Sequence, residues 1–121
     1  MENVVFEFYR GDTYTRDFTI SGFTMPISKI FFTVKEDENK KQAVLQKTLN
    51  DGITLVSDDE NGRTYNLLIC CVDTDKMKAD FDYVFDIEIH SPGTAEMPIK
   101  KTIITGILRL KASATKTCNE C

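Results

Sequence analysis

The chain has 121 residues, which is the size of one domain and enough to bury a hydrophobic core without disulfides or metals. Hydrophobic residues make up 41% and charged residues 28%, which excludes a disordered tail, a collagen-like fibre and a membrane-spanning segment. The formal net charge of −4 disfavours binding to duplex nucleic acid, because the phosphate backbone attracts a positive surface.

Apolar and polar residues alternate with a period of two along most of the chain, and this pattern predicts β-strands. The clearest strand is the seventh, in which aromatic and isoleucine side chains alternate with acids and a histidine. The eighth is apolar on both faces, so it is expected at the centre of the fold or covered on both sides. The predicted strands cover residues 4–9, 14–20, 30–35, 44–49, 53–56, 64–69, 83–90 and 102–110.

Turn signals separate the predicted strands, and Asn61-Gly62 is the strongest hairpin signal among them. Residues 73–79 carry acids first and lysines later, which favours one short helical turn. Together the elements predict an all-β, immunoglobulin-like β-sandwich of about seven or eight strands. We expect residues 1–112 to form this single domain and residues 113–121 to form a flexible C-terminal tail.

The four cysteines are Cys70, Cys71, Cys118 and Cys121, and their spacing does not favour a zinc site. Only the last two have a knuckle spacing, and adjacent cysteines in a strand point to opposite faces. The thioredoxin-type motif also fails, because Cys118-Asn119-Glu120-Cys121 does not open a helix after a strand. We interpret the set as one buried strand cysteine and a tail, and we assign no role to Cys118 or Cys121.

The candidate chemical groups are acids and one histidine. Asp86 and Glu88 share a strand face and could form a hydrolase pair, but an alternating strand favours a solvated polar face. The acidic loop 58–61 could bind calcium, although it lacks the EF-hand spacing. His90 is interpreted as a surface histidine at a strand end, since no nucleophile motif accompanies it. We therefore expect no catalytic residues, no cofactor, no metal and no enzyme activity.

The surface offers a second kind of site. The first and last strands carry apolar residues on both faces, and exposed apolar strand surface usually binds a partner. On this basis we expect Val5, Tyr9, Ile103 and Ile107 to form a protein–protein interface. The tripeptide Arg10-Gly11-Asp12 is interpreted as a turn, since three residues match an integrin motif too easily by chance.

The order of these motifs resembles a known group of proteins. The matching segments are Arg10-Gly11-Asp12-Thr13, Phe18-Thr19-Ile20, Ile30–Lys35, Leu45–Leu49, Gly52–Leu55, Asn61-Gly62 before Tyr65-Asn66-Leu67, Asp73–Met77, Tyr83–Ile89 and Thr102–Leu108. Over residues 3–112 the chain resembles the small β-sandwich proteins encoded in tail and structural gene clusters of phages and prophages. It is similar to the N-terminal domain of the baseplate upper protein of phages that infect Gram-positive bacteria.

The resemblance implies an immunoglobulin-like sandwich that acts in virion assembly, in the tail, baseplate or head–tail adaptor. It implies other virion proteins and copies of the same chain as partners. The negative net charge and the short apolar runs predict no nucleic-acid and no membrane partner. The baseplate protein continues into a receptor-binding region and this chain does not, so a connector role is expected over host attachment. The N-terminus has no features of a signal peptide, so we expect the host bacterial cytoplasm during assembly and then the virion.

A different class of function remains open beside this one. A carbohydrate-binding or adhesion module of the sandwich type presents exposed coplanar aromatic rings to its sugar. The chain has no tryptophan, so Tyr9, Tyr14 and Phe23 would have to supply that platform.

Overall fold

Eight strands and one short helix make up the part of the chain that the structure, a computed structural model, describes: residues 3–94 and 97–112. The elements are β1 Asn3–Tyr9, β2 Tyr14–Ile20, β3 Lys29–Lys35, β4 Leu45–Leu49, β5 Gly52–Asp59, β6 Gly62–Ile69, α1 Cys71–Thr74, β7 Phe81–Thr94 and β8 Met97–Lys111. The predicted all-β class is confirmed. Its immunoglobulin-like arrangement stays a prediction.

The strands form one nearly closed sheet in the order β1-β8-β7-β3-β4-β5-β6-β2. The link between β4 and β5 differs from the others, because it consists only of Thr48 opposite Gly52 and Leu49 opposite Ile53. Because the paired residues are only four positions apart in sequence, the chain makes a sharp turn between β4 and β5 and the strands pair only briefly. Asn50 and Gly52 form this turn, with positive φ angles of 70° and 100°. The sheet therefore has two parts: the long ladder β1-β8-β7-β3-β4 and the short ladder β5-β6-β2.

One face of every strand points into a common core, and we call the opposite face the outer face. The two end strands meet across this core, where the Tyr14 ring of β2 stacks on the Phe8 ring of β1 at 4.4 Å between centroids. The Phe6 ring lies 4.5 Å from the Phe85 ring and links β1 to β7. Burial on one face only explains why the alternation is so clear in the sequence. The fully buried apolar side chains are Ile30, Phe32, Val34, Ile53, Leu67, Ile69, Ile87, Ile89, Leu108 and Leu110.

The helix α1 closes one end of the core. The Asp73 carboxylate accepts a hydrogen bond from the Cys70 backbone N–H at 2.7 Å. It also forms an ion pair with the Lys47 ammonium, at 2.7 Å. The buried Thr74 hydroxyl accepts a hydrogen bond from the Gly11 N–H at 2.9 Å, which ties the turn after β1 to the helix. The predicted helical turn at residues 73–79 is thus present, but it begins earlier and spans only Cys71–Thr74.

The predicted end of the seventh strand needs correction. The seventh strand does not end at His90 but continues through Ser91-Pro92-Gly93 to Thr94, with an irregular register between Ser91 and Thr94. Pro92 has no backbone N–H to donate to a neighbouring strand. It fits in β7 because β3 pairs with β7 only as far as His90, so no strand on the β3 side accepts a hydrogen bond from residue 92. The predicted tail at 113–121 lies outside the described residues.

Candidate interaction surface

An apolar row crosses the outer face of the long ladder. In register, Val5 of β1 lies opposite Ile107 of β8, and Ile107 lies opposite Val84 of β7. Val5 is 44% exposed, whereas Ile107 and Val84 are half-buried. Opposite residues on one face of a sheet lie close together, so the three side chains form one continuous strip, here called the outer row.

An ionic cluster borders the outer row on one side. The Arg109 guanidinium donates to both Asp82 carboxylate oxygens at 2.8 and 3.1 Å and to Glu7 Oε2 at 3.1 Å, while Lys111 Nζ lies 2.9 Å from Glu7 Oε1. Hydrogen bonds from Lys111 and Arg109 lower the pKa of Glu7, and those from Arg109 lower the pKa of Asp82. These groups stay ionised and paired, so they form a polar rim rather than a docking surface.

The ring of Tyr9 extends the apolar surface past the ionic cluster. Tyr9 is 49% exposed and shares the outer face of β1 with Val5 and Glu7. The Lys111 ammonium lies 5.6 Å from the Tyr9 ring centroid, within the range of a cation–π contact. The ring is therefore held in place at the surface while its edge remains accessible.

Three of the four predicted interface residues, Val5, Tyr9 and Ile107, share the outer face. The fourth, Ile103, does not. Ile103 falls at the irregularity where Ile87 lies opposite Ile104 and Glu88 opposite Thr102. Its side chain is half-buried and packs against the core. Val84 was not predicted to belong to this surface, because the acids at Asp82, Asp86 and Glu88 make its face of the strand look polar. The available signal in the sequence was that Val84 itself is apolar, although Asp82 and Asp86, two positions before and after it on the same face, are acids.

A groove overlaps the outer row. It has a volume of about 480 Å³, and its lining combines Val84 and Ile107 of that row with Asp86, Thr33, Lys35 and Thr105. Burial, with the nearby Glu88 carboxylate, raises the pKa of Asp86. The groove offers hydrogen-bonding groups beside the apolar strip.

Asp86 should destabilise the fold where its carboxyl is forced to ionise. Because its folded-state pKa is raised, the folded state binds more protons than the unfolded state, so its contribution to stability is lost as pH rises from the usual aspartate pKa through the raised folded-state pKa. We expect Asp86→Asn to increase the free energy of unfolding at neutral pH and to lose this advantage at acidic pH. Urea unfolding of both proteins across that range measures it. A variant that is less stable at neutral pH would contradict the assignment.

The histidine and its neighbouring acid form a pair rather than a catalytic dyad. His90 Nε2 lies 2.5 Å from Glu88 Oε1, and the His90 ring lies 4.9 Å from the Phe31 ring. His90 is half-buried within β7, which corrects its predicted place at a strand end. Glu88 and Phe31, which contact His90, both lie on the outer face. Glu88 and His90 can therefore offer hydrogen bonds to a molecule bound at this face.

The other acidic candidates have structural partners. Asp59 accepts a hydrogen bond from the Asn61 N–H at 2.8 Å, which shapes the β5–β6 turn. Asp58 lies 4.0 Å from Arg63 Nε. Within residues 3–94 and 97–112 there is no group of three or more His, Cys, Asp or Glu side chains placed to hold a metal ion.

The turn at residues 10–12 has a structural role, as the sequence predicted. The Arg10 guanidinium donates to the Met77 carbonyl at 3.1 Å, and the Asp12 N–H donates to the Tyr9 carbonyl at 3.1 Å. The Arg10 side chain is thus engaged with the segment after α1 instead of standing free in solvent.

The cysteines depart from their predicted interpretation. β6 ends at Ile69, so Cys70 and Cys71 lie at the start of α1 rather than within a strand. Both are disulfide-bonded, a state that the sequence interpretation did not include. Cys118 and Cys121 lie outside the described residues.

The three aromatic residues of the carbohydrate alternative do not share one platform. Tyr9 lies on the outer face, Tyr14 stacks on Phe8, and Phe23 packs against the core.

Comparison with protein-family models found no match, and comparison with curated proteins found none either. In the part of the chain that the structure describes, the one helix, α1, is too short to cross a membrane.

Proposed function

We propose that this protein is a non-enzymatic structural or assembly protein of a phage or prophage virion, in the tail, baseplate or head–tail adaptor. The order of its strands and turns, which resembles that of small virion β-sandwich proteins, supports this class. The observation that carries the mechanism is the outer row, an apolar strip next to an exposed tyrosine and bordered by polar groups. An apolar centre with a polar rim is typical of a protein–protein interface.

The partner bound by this surface is another virion protein or a further copy of the chain. Val5 and Tyr9 lose the most exposed apolar area when they are covered, so they are the expected anchors. The protein is made in the host bacterial cytoplasm and then becomes part of the virion. No nucleic acid, membrane or cofactor takes part in this mechanism.

The test uses the purified protein alone and mixed with the products of neighbouring genes, analysed by sedimentation. We expect wild type to form an oligomer or a complex, and Val5→Lys combined with Ile107→Thr to weaken it by roughly 100-fold, since losing two apolar contacts and burying a charge costs a few kcal/mol. Met25→Lys, at an exposed methionine outside the strands, is the matched control. A wild-type protein that stays monomeric and binds no neighbour would overturn the proposal.

The carbohydrate-binding alternative makes the opposite prediction in one assay. The groove over the outer row, which places Asp86 and Thr33 next to apolar side chains, is the feature that favours it. Binding of the wild-type protein to a glycan array, with loss of binding in Asp86→Asn, would support that function over assembly.

A further inference from the structure

β5 is an open edge of the short ladder for most of its length. It pairs with β4 only at Gly52 and Ile53, whereas its pairing with β6 continues to Asp59. Among the described residues, no strand therefore occupies the second side of β5 from residue 54 to residue 59. The backbone N–H and C=O groups on that side are available to another extended chain.

The two most exposed large apolar side chains of the described residues lie on this edge. Leu55 is 52% exposed and Val56 is 58% exposed. Leu55 lies opposite the buried Tyr65, so it is on the core-facing side of its strand and yet is left uncovered. A strand added to β5 would bring side chains over Leu55 and extend the core across the edge.

The two end strands of the sheet, β1 and β2, contact each other. The Arg16 guanidinium of β2 lies 4.8 Å from the Phe6 ring of β1, and Tyr14 of β2 stacks on Phe8 of β1. β1 and β2 thus contact each other through side chains across the core. The β5 edge carries the two most exposed large apolar side chains of the described residues, Leu55 and Val56.

The charge at the end of β5 indicates what kind of strand fits. Asp58, Asp59 and Glu60 follow one another and are all exposed, and the nearest compensating cation is Arg63, 4.0 Å from Asp58. A second copy paired antiparallel about Leu55 and Val56 would set its Glu60 against Asp51. Val56 lies at a bulge, so any strand added here has to follow a local bend of β5.

We propose that the β5 edge binds an extended segment of a partner protein by strand addition, and that this segment carries apolar residues beside lysine or arginine. The apolar residues cover Leu55 and Val56, and the basic residues face Asp58, Asp59 and Glu60. The acids thus reject a second copy while they attract a basic strand, which is how specificity is built against a competing partner. The proposal rests on the assembly function and names the charge and shape of one partner.

The test is selection from a random peptide library displayed on yeast, with the purified wild-type protein as bait. We expect the enriched peptides to carry β-branched residues next to lysine or arginine, and to lose roughly tenfold or more of their affinity for Leu55→Lys combined with Val56→Lys. The matched control is Val72→Lys, at an exposed valine in α1, which should bind as wild type does. Raised salt should weaken binding, because the paired charges are exposed.

Enriched peptides that are not basic, peptides that bind the double variant as well as wild type, or a selection that enriches nothing would each overturn the proposal. Failure of the assembly function is seen separately, because the sedimentation test depends on Val5 and Ile107 of the long ladder. A peptide that binds β5 in a protein that assembles with no neighbour would leave the edge site standing without the virion role.

Discussion

Gly106→Val is expected to destabilise the fold by about 3 kcal/mol or more, toward the upper end of the cost of overpacking a core. A Cβ at position 106 would lie 2.0 Å from the Val4 carbonyl oxygen and 2.8 Å from the Phe85 ring. The carbonyl belongs to the backbone of β1, so the clash can be relieved only by moving β1 away from β8 or by displacing the ring. Either movement opens the core where three strands meet.

Urea unfolding followed by far-ultraviolet circular dichroism measures this effect. Thr102→Val, on the same strand and on the outer face, is the control for the gain in strand propensity, and we expect it to change stability little. A Gly106→Val protein as stable as wild type would show that β1 and Phe85 do not pack against Gly106 in this way.

The second large effect is expected at Phe32, whose ring is fully buried at 0% exposure. The ring lies 5.3 Å from the Phe85 ring and 6.2 Å from the Phe6 ring, at the centre of the aromatic core. Phe32→Ala removes that volume and should cost about 3–5 kcal/mol. Because a domain of this size is stable by roughly 5–15 kcal/mol, much of the chain population should unfold at moderate temperature.

Phe31→Ala is the matched control, since it removes the same side chain one position earlier on the outer face. Phe31 is half-buried against His90, so its loss should cost much less than the loss of Phe32. Thermal unfolding of both variants compares the two faces of β3 directly. If Phe31→Ala were the more damaging change, the assignment of inner and outer faces would be reversed.

The strands could be predicted because burial on a single face leaves a period of two in the sequence. In β3, Ile30, Phe32 and Val34 are predicted to share a face, and all three are fully buried. The strand ends were less predictable. Ser57, Asp58 and Asp59 belong to β5 although they are polar on both faces, because an open edge buries neither face.

The interaction surface was only partly predictable, because its composition depends on which strands become neighbours. Val5 and Ile107 are far apart in sequence and meet only through the pairing of β1 with β8. The exposure of Leu55 depends on β4 turning away at the corner before β5, which no local pattern encodes. The disulfide-bonded state of Cys70 and of Cys71 was equally hidden, since the spacing of cysteines does not determine their pairing.

The parallel pairing of β1 with β8 also affects how the protein is made. β1 is synthesised first, but its partner from Thr105 to Lys111 emerges from the ribosome only after nearly all of the described chain has been translated. Phe6 and Phe8 therefore lack their β8 neighbours, Leu108 and Leu110, during almost all of synthesis. Pairing over such a separation in sequence slows folding, so closure of this edge is expected to be a late step, and chaperones have the longest opportunity to act on the first strand.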